Sequence, residues 1–127
     1  MAPATPTALP RRLTRAMRLK YGSEFNRLRT QGRRLVRGCL VANWLELPDG
    51  SLSRLGVVVS RKTGESVARS RARRLLRETF RLHQHDLRQP VMLVLVARNS
   101  IAGKKRADVE RDFLTAMRHA KLLKDPA

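Results

Sequence analysis

The spacing of hydrophobic positions along this chain changes several times, and each change marks an element. Residues 23–32 set Phe25 and Leu28 on one side of a turn between Ser23 and Gly32, which predicts a short helix with a serine N-cap and a left-handed terminal glycine. Residues 35–47 are apolar with β-branched and aromatic members, one bent strand or two short ones. Pro48-Asp49-Gly50-Ser51 then supplies turn chemistry before Leu55-Gly56-Val57-Val58-Val59. Two antiparallel strands joined by that turn are expected.

At 67–82 the period becomes helical. At about 100° per residue, Ala68, Ala72, Leu75, Leu76, Thr79 and Leu82 fall on one side, and Ser70, Arg73, Arg74, Arg77 and Arg81 on the other. Arg69 and Arg71 stand on the two borders. Residues 91–97 form a short unbroken apolar run, which suits a central strand buried on both faces. Residues 108–123 read as a closing helix with Val109, Phe113, Ala116, Met117 and Ala120 as its stripe. Its acids Asp108, Glu110 and Asp112 come early and Arg118, His119 and Lys121 late, matching the helix dipole. The order of elements predicts an α+β fold, a compact α-β sandwich of helices on a small, about four-stranded sheet. Nothing repeats internally. Residues 11–124 read as one domain behind a proline-rich segment, 1–10, that is expected to be disordered.

Composition changes this picture through charge. A chain of 127 residues with 42% hydrophobic content supports a modest core, but a formal net charge of +18 calls for a polyanionic partner, nucleic acid first. On the 67–82 helix a single acid, Glu78, stands among the arginines, whereas a face built for solubility mixes signs. A second basic stretch, 11–37, is opposed only by Glu24. No apolar run approaches the roughly 18 residues of a membrane span, and there is no lipidation signal or secretory h-region. Cys39 is the one cysteine and lies in an apolar stretch, so it reads as a small buried residue. A cytoplasmic compartment and no membrane partner are expected.

Candidate chemistry is sparse. His83, His85 and Asp86 offer imidazoles, but an H-x-H pair on a helix points to different sides, so no metal site is read there. No acid pairs with a histidine in a nucleophile motif, and no catalytic residue is assigned to the protein. The arginines instead suit phosphate, which their planar fork takes bidentately. Gly64, Glu65 and Ser66 at the helix start add free backbone N–H groups. Tyr21, Phe25 and Trp44 fit either base stacking or the core. A ribosomal or RNA-assembly protein that binds structured RNA matches these features. A helix-turn-helix DNA binder matches less well, because the basic helix follows a strand.

Two runs carry more than composition: Arg54-Leu55-Gly56-Val57-Val58-Val59-Ser60-Arg61-Lys62, and Val67-Ala68-Arg69-Ser70-Arg71-Ala72-Arg73-Arg74-Leu75-Leu76-Arg77-Glu78-Thr79-Phe80-Arg81. Together they resemble the signature of the bacterial ribonuclease P protein subunit. Arg18-Leu19, Glu24-Phe25 and Val94-Leu95-Val96-Ala97-Arg98 support the resemblance, which spans 9–123. It implies a left-handed β-α-β crossover around the signature helix. It also implies a catalytic RNA that removes the 5′ leader of precursor tRNA, with Mg²⁺ held mainly by RNA and substrate phosphates. The protein would be monomeric, one per RNA, and would bind that RNA through Arg61, Lys62, Arg69, Ser70, Arg71, Arg73, Arg74, Arg77 and Arg81. The leader would lie in a cleft between the first helix and the sheet, near Phe25, Arg29 and Asn43. This chain departs from the family pattern in two places. Ser70 stands where the signature usually has Asn, and Arg29 and Asn43 stand where aromatics are common, so leader binding is expected to rely more on charge than on stacking.

Overall fold

The apolar run at 91–97 becomes the strand around which everything else is arranged. A computed structural model describes residues 23–124, apart from the side chains of Ser23 and Phe25. The expected leader at 1–10, Arg18-Leu19, Tyr21 and the basic residues before 23 lie outside the described residues. In chain order the elements are helix α1 (Ser23–Gln31), strands β1 (Arg33–Arg37), β2 (Leu40–Glu46) and β3 (Arg54–Val58), helix α2 (Ser66–His83), strand β4 (Val91–Ala97) and helix α3 (Arg106–His119). Single 3-10 turns stand at Arg61–Thr63, Gln84–Asp86 and Asn99–Ile101.

The sheet has the order β1-β2-β4-β3, antiparallel except for the parallel pair β3 and β4. The apolar stretch at 35–47 is two strands, folded back at Gly38-Cys39. The expected pairing of that stretch with 55–59 does not form, because β4 lies between β2 and β3. The reason is that β4 is apolar at every position and buried at all but Val96, so a place with strands on both edges and helices on both faces removes most of it from water. α2 is the connection that carries the chain from β3 to its parallel neighbour β4.

The pleat sorts side chains between the two faces. Leu40, Ala42 and Trp44 of β2, Leu55 of β3 and Leu93 and Leu95 of β4 join Leu76, Phe80, Val109, Phe113 and Met117 in the main core, beneath α2 and α3. Leu28 of α1 packs with Leu47, Met92 and Val94 on the opposite face. Phe80 and Phe113 are fully buried, each contributing about 2–3 kcal/mol of transfer free energy. Trp44 is only 6% exposed, so it is core and not a stacking platform.

Three local expectations are corrected. Gly32 is not a left-handed cap; its N–H continues the helical pattern to Leu28 O at 2.8 Å. Glycine is required there by close approach, since a Cβ would lie 2.5 Å from Leu28 O and 2.9 Å from Trp44 O. In α2, Phe80 belongs to the buried face while Leu82 is half-exposed. α3 begins at Arg106, earlier than read, and ends at His119, after which Lys121 turns to φ +61. Cys39 is buried as expected. Burial, with the neighbouring Asp112 carboxylate, pushes its thiol up to about 12. Among the described residues no helix is long and apolar enough to cross a membrane.

Candidate nucleic-acid interface

Parallel pairing brings the ends of β3 and β4 to the same edge of the fold, and α2 starts there. The turn Arg61–Thr63 after β3 touches the turn Asn99–Ile101 after β4. Arg61 and Lys62 are exposed in the first of these. Gly64 (φ +147) makes the turn into α2, and no side chain caps the helix N-terminus. Of the anion-binding group read at 64–66, Ser66 Oγ accepts from Arg69 Nη2 at 3.2 Å, and Glu65 places its own charge at the helix start.

Along α2 the predicted RNA-binding residues divide into three kinds. Ser70, Arg74 and Arg77 are exposed on the outer face. Arg69, Arg71 and Arg73 are half-buried at its flanks; the Arg69 Nε is enclosed with no hydrogen-bond partner, and Arg71 Nη2 donates to Lys104 O at 2.7 Å. Arg81 is ion-paired with Glu78, its Nε donating to Glu78 Oε1 at 3.1 Å. Arg81 therefore reaches the outer face with its charge already compensated, and its hydrogen bond holds the Glu78 carboxyl below the usual value.

At the far end of α2, His83 stands between two carboxylates. Its Nδ1 is 2.8 Å from Asp86 Oδ2 and its Nε2 is 2.6 Å from Glu110 Oε2, and its ring stacks on Phe113. Burial lowers its pKa, but the hydrogen bonds to Glu110 and Asp86 outweigh that and raise it overall. This histidine ties α2 to α3. Among the described residues no three His, Cys, Asp or Glu side chains come together to hold a metal ion.

A second surface lies on the opposite face of the sheet. α1 is seated there by Leu28 and by an ion pair from Arg54 Nη2 to Glu24 Oε1 at 3.1 Å. Beside α1 opens a cleft of about 230 Å³, lined by Leu28, Arg29, Asn43, Val58, Val94 and Val96. Two of the three predicted cleft residues, Arg29 and Asn43, line it together; the Phe25 side chain lies outside what is described. The strand registers show what sequence reasoning missed. Arg34, Asn43, Val94 and Gly56 form one row across the four strands, and Val36, Val41, Val96 and Val58 form the next. Val36 and Val58 are 41% and 39% exposed, so the floor of the cleft continues to both edges as aliphatic surface. Neither Arg33–Arg37 nor Arg54–Val58 alternates between apolar and polar residues, so these rows emerge only from the strand order and register.

Comparison with known proteins follows the same direction. A family model described as Ribonuclease P matches residues 13–121. The chain is 37% identical over 87 residues to the ribonuclease P protein component of Desulfatibacillum aliphaticivorans, covering 68% of this chain and 73% of that one. It is 35% identical over 109 residues to the ribonuclease P protein component of Gluconacetobacter diazotrophicus, covering 84% and 92%. In structure it is similar to the RNase P protein of Staphylococcus aureus, with a TM-score of 0.76 at 23% identity over 87% of this chain and 100% of that one. At that identity the likeness bears on fold alone.

Proposed function

The chain belongs to the ribonuclease P protein family, and from that premise we propose that it is the protein component of a ribonuclease P, the ribonucleoprotein that matures the 5′ end of tRNA. In this reading the partner RNA performs the hydrolysis, one copy of this chain binds that RNA, and the complex acts in the cytoplasm. In the same reading Mg²⁺ would be held by RNA and substrate phosphates, where it would supply charge neutralisation at the scissile phosphate.

The observation that carries the proposal is the placement of two surfaces suited to RNA on opposite sides of one sheet. The cationic face of α2, with Arg61 and Lys62 at its approach, stands on one side; the cleft of Arg29 and Asn43 stands on the other. One small domain can therefore grip two nucleic-acid segments at once. Arg74 and Arg77 present charge to phosphate without internal compensation, as backbone binding requires. The cleft pairs a cation and an amide with aliphatic walls, which suits an unpaired strand whose bases lie against carbon while its phosphates meet Arg29 and Arg34. The chain's own work is to bind, orient and enclose; no proton transfer is assigned to it.

Reconstitution tests this. Adding the purified chain to a bacterial ribonuclease P RNA at low Mg²⁺ is expected to increase removal of the leader from precursor tRNA. If cleavage is not enhanced while the chain still binds structured RNA, the reading as a ribosomal or RNA-assembly protein replaces this one.

A further inference from the structure

Arg71 stands inside the signature run, yet its guanidinium is turned into the protein. It is half-buried, and its Nη2 donates to the backbone carbonyl of Lys104, 33 residues away, at 2.7 Å. The acceptor belongs to 102–105, the segment between the turn Asn99–Ile101 and α3, which reads Ala102-Gly103-Lys104-Lys105 and runs into Arg106, the first residue of α3. A Cβ at Gly103 would meet nothing within 4 Å, and its φ is +79, so the chain turns at the surface there. Its remaining hydrogen bonds are local: Ala102 N–H to Asn99 O at 3.2 Å, Lys104 N–H to Ile101 O at 3.0 Å and Lys105 N–H to Asp108 Oδ2 at 3.1 Å, so Arg71 supplies the bond that reaches it from α2.

What the segment carries is charge. Lys105 and Arg106 are exposed, and Arg106 lies close enough to Glu78 on α2 to lower that carboxyl's pKa. Lys104 itself is half-buried. Arg71 and Glu78 are two helical turns apart on one flank of α2, and the segment runs beside that flank. An arginine bond to a backbone carbonyl fixes position without requiring any particular side chain at 104.

We infer that Arg71 is a positioning residue that holds the 104–106 segment against α2, so that Lys105 and Arg106 extend the cationic face and contact phosphates of the same RNA that α2 binds. This rests on the RNA-binding reading above. The surface bound is RNA backbone, since the segment offers cations and no aromatic or apolar side chain for a base or a protein partner.

The test is a double-mutant cycle on the full chain, reading the slope of log affinity against log salt. The probes are a bacterial ribonuclease P RNA and an unrelated structured RNA of equal length. Lys105→Ala with Arg106→Ala is expected to flatten the slope by about two contacts, each worth about 0.7–0.9. Arg71→Gln removes one charge but is expected to flatten the slope by more than one contact. Added to the Lys105→Ala/Arg106→Ala background, it should change the slope little further. Two results overturn the inference: an unchanged slope for Lys105→Ala/Arg106→Ala, which does not depend on how Arg71→Gln folds, or an Arg71→Gln effect of about one contact that adds fully in both backgrounds. Equal affinity of the wild type for both RNAs would count against the ribonuclease P reading while leaving the cycle interpretable.

Discussion

The backbone N–H of Cys39, in the turn between β1 and β2, donates to Asp112 Oδ2 on α3 at 3.0 Å. One carboxylate thus joins the hairpin at the sheet edge to the closing helix, and Gly38 beside it has φ +55. A Cβ at Gly38 would collide with that same carboxylate. Gly38→Ala is expected to destabilise the fold by about 2–4 kcal/mol, from the left-handed backbone and the lost charge-assisted hydrogen bond. Urea denaturation of Gly38→Ala, Asp112→Ala and the double variant should show strong non-additivity. A wild-type midpoint for Gly38→Ala would contradict the assignment.

Glu78 and Arg81 neutralise one another on the face proposed to meet RNA. Glu78→Gln releases Arg81 and is expected to tighten binding to ribonuclease P RNA, steepening the salt slope by about one contact, ~0.7–0.9. Arg77→Ala, which removes an exposed cation, should flatten it by the same amount, and Arg81→Ala by less. Filter binding across a salt series measures all three, and an unmoved slope for Glu78→Gln would remove Arg81 from the interface.

Ser70 is exposed at the centre of the α2 outer face. Asn there restores a group that donates and accepts together, so Ser70→Asn is expected to improve RNA affinity by roughly 1 kcal/mol, about fivefold. Equal affinities would mean that this position makes no hydrogen bond to the RNA.

In the cleft, Arg29 and Asn43 are expected to act differently on precursor tRNA. Arg29→Ala should flatten the salt slope by about 0.7, the single-strand value for one phosphate contact. Asn43→Phe should strengthen leader affinity by ~1 kcal/mol through stacking without moving the slope. Competition between precursors with and without a leader isolates these terms; effects of equal size on both would take the leader out of this cleft.

His83 predicts a pH dependence of stability. Its pKa is raised in the folded state, so its contribution is complete below the ordinary histidine value of about 6.5 and is lost as pH rises through the raised value. His83→Gln removes that dependence. Melting curves from acid to alkaline pH should show the wild type ahead by about 1 kcal/mol, ~3–5 °C, on the acid side, with the gap closing as pH rises. A gap independent of pH would mean that the imidazole between Glu110 and Asp86 is not charged.

Much of this protein was readable within single elements. The two faces of α2 follow from a period of 3.6 residues. The central place of β4 follows from an apolar run too short for a buried helix, and the small buried role of Cys39 from its neighbours. Each of these depends on residues within a few positions of one another. The errors fell where distant segments meet. Phe80 was assigned to neither side of α2 by its period, and the structure buries it in the core with Phe113 of α3. Trp44 read equally as platform or core until β2 was covered. His83 was read only as no metal ligand; its place between two carboxylates appeared when Glu110 of α3 came to 2.6 Å from it.

The sign of the partner's charge, the type of each main element and the side of α2 that faces solvent follow from the order of residues alone, because charge and periodicity are local properties of the chain. Tertiary structure alone decided the strand order β1-β2-β4-β3, the row of valines beside Asn43, and the inward turn of Arg71 toward Lys104. Those depend on which surfaces bury one another, and that is set by the whole chain removing β4 from water, not by any neighbourhood within it.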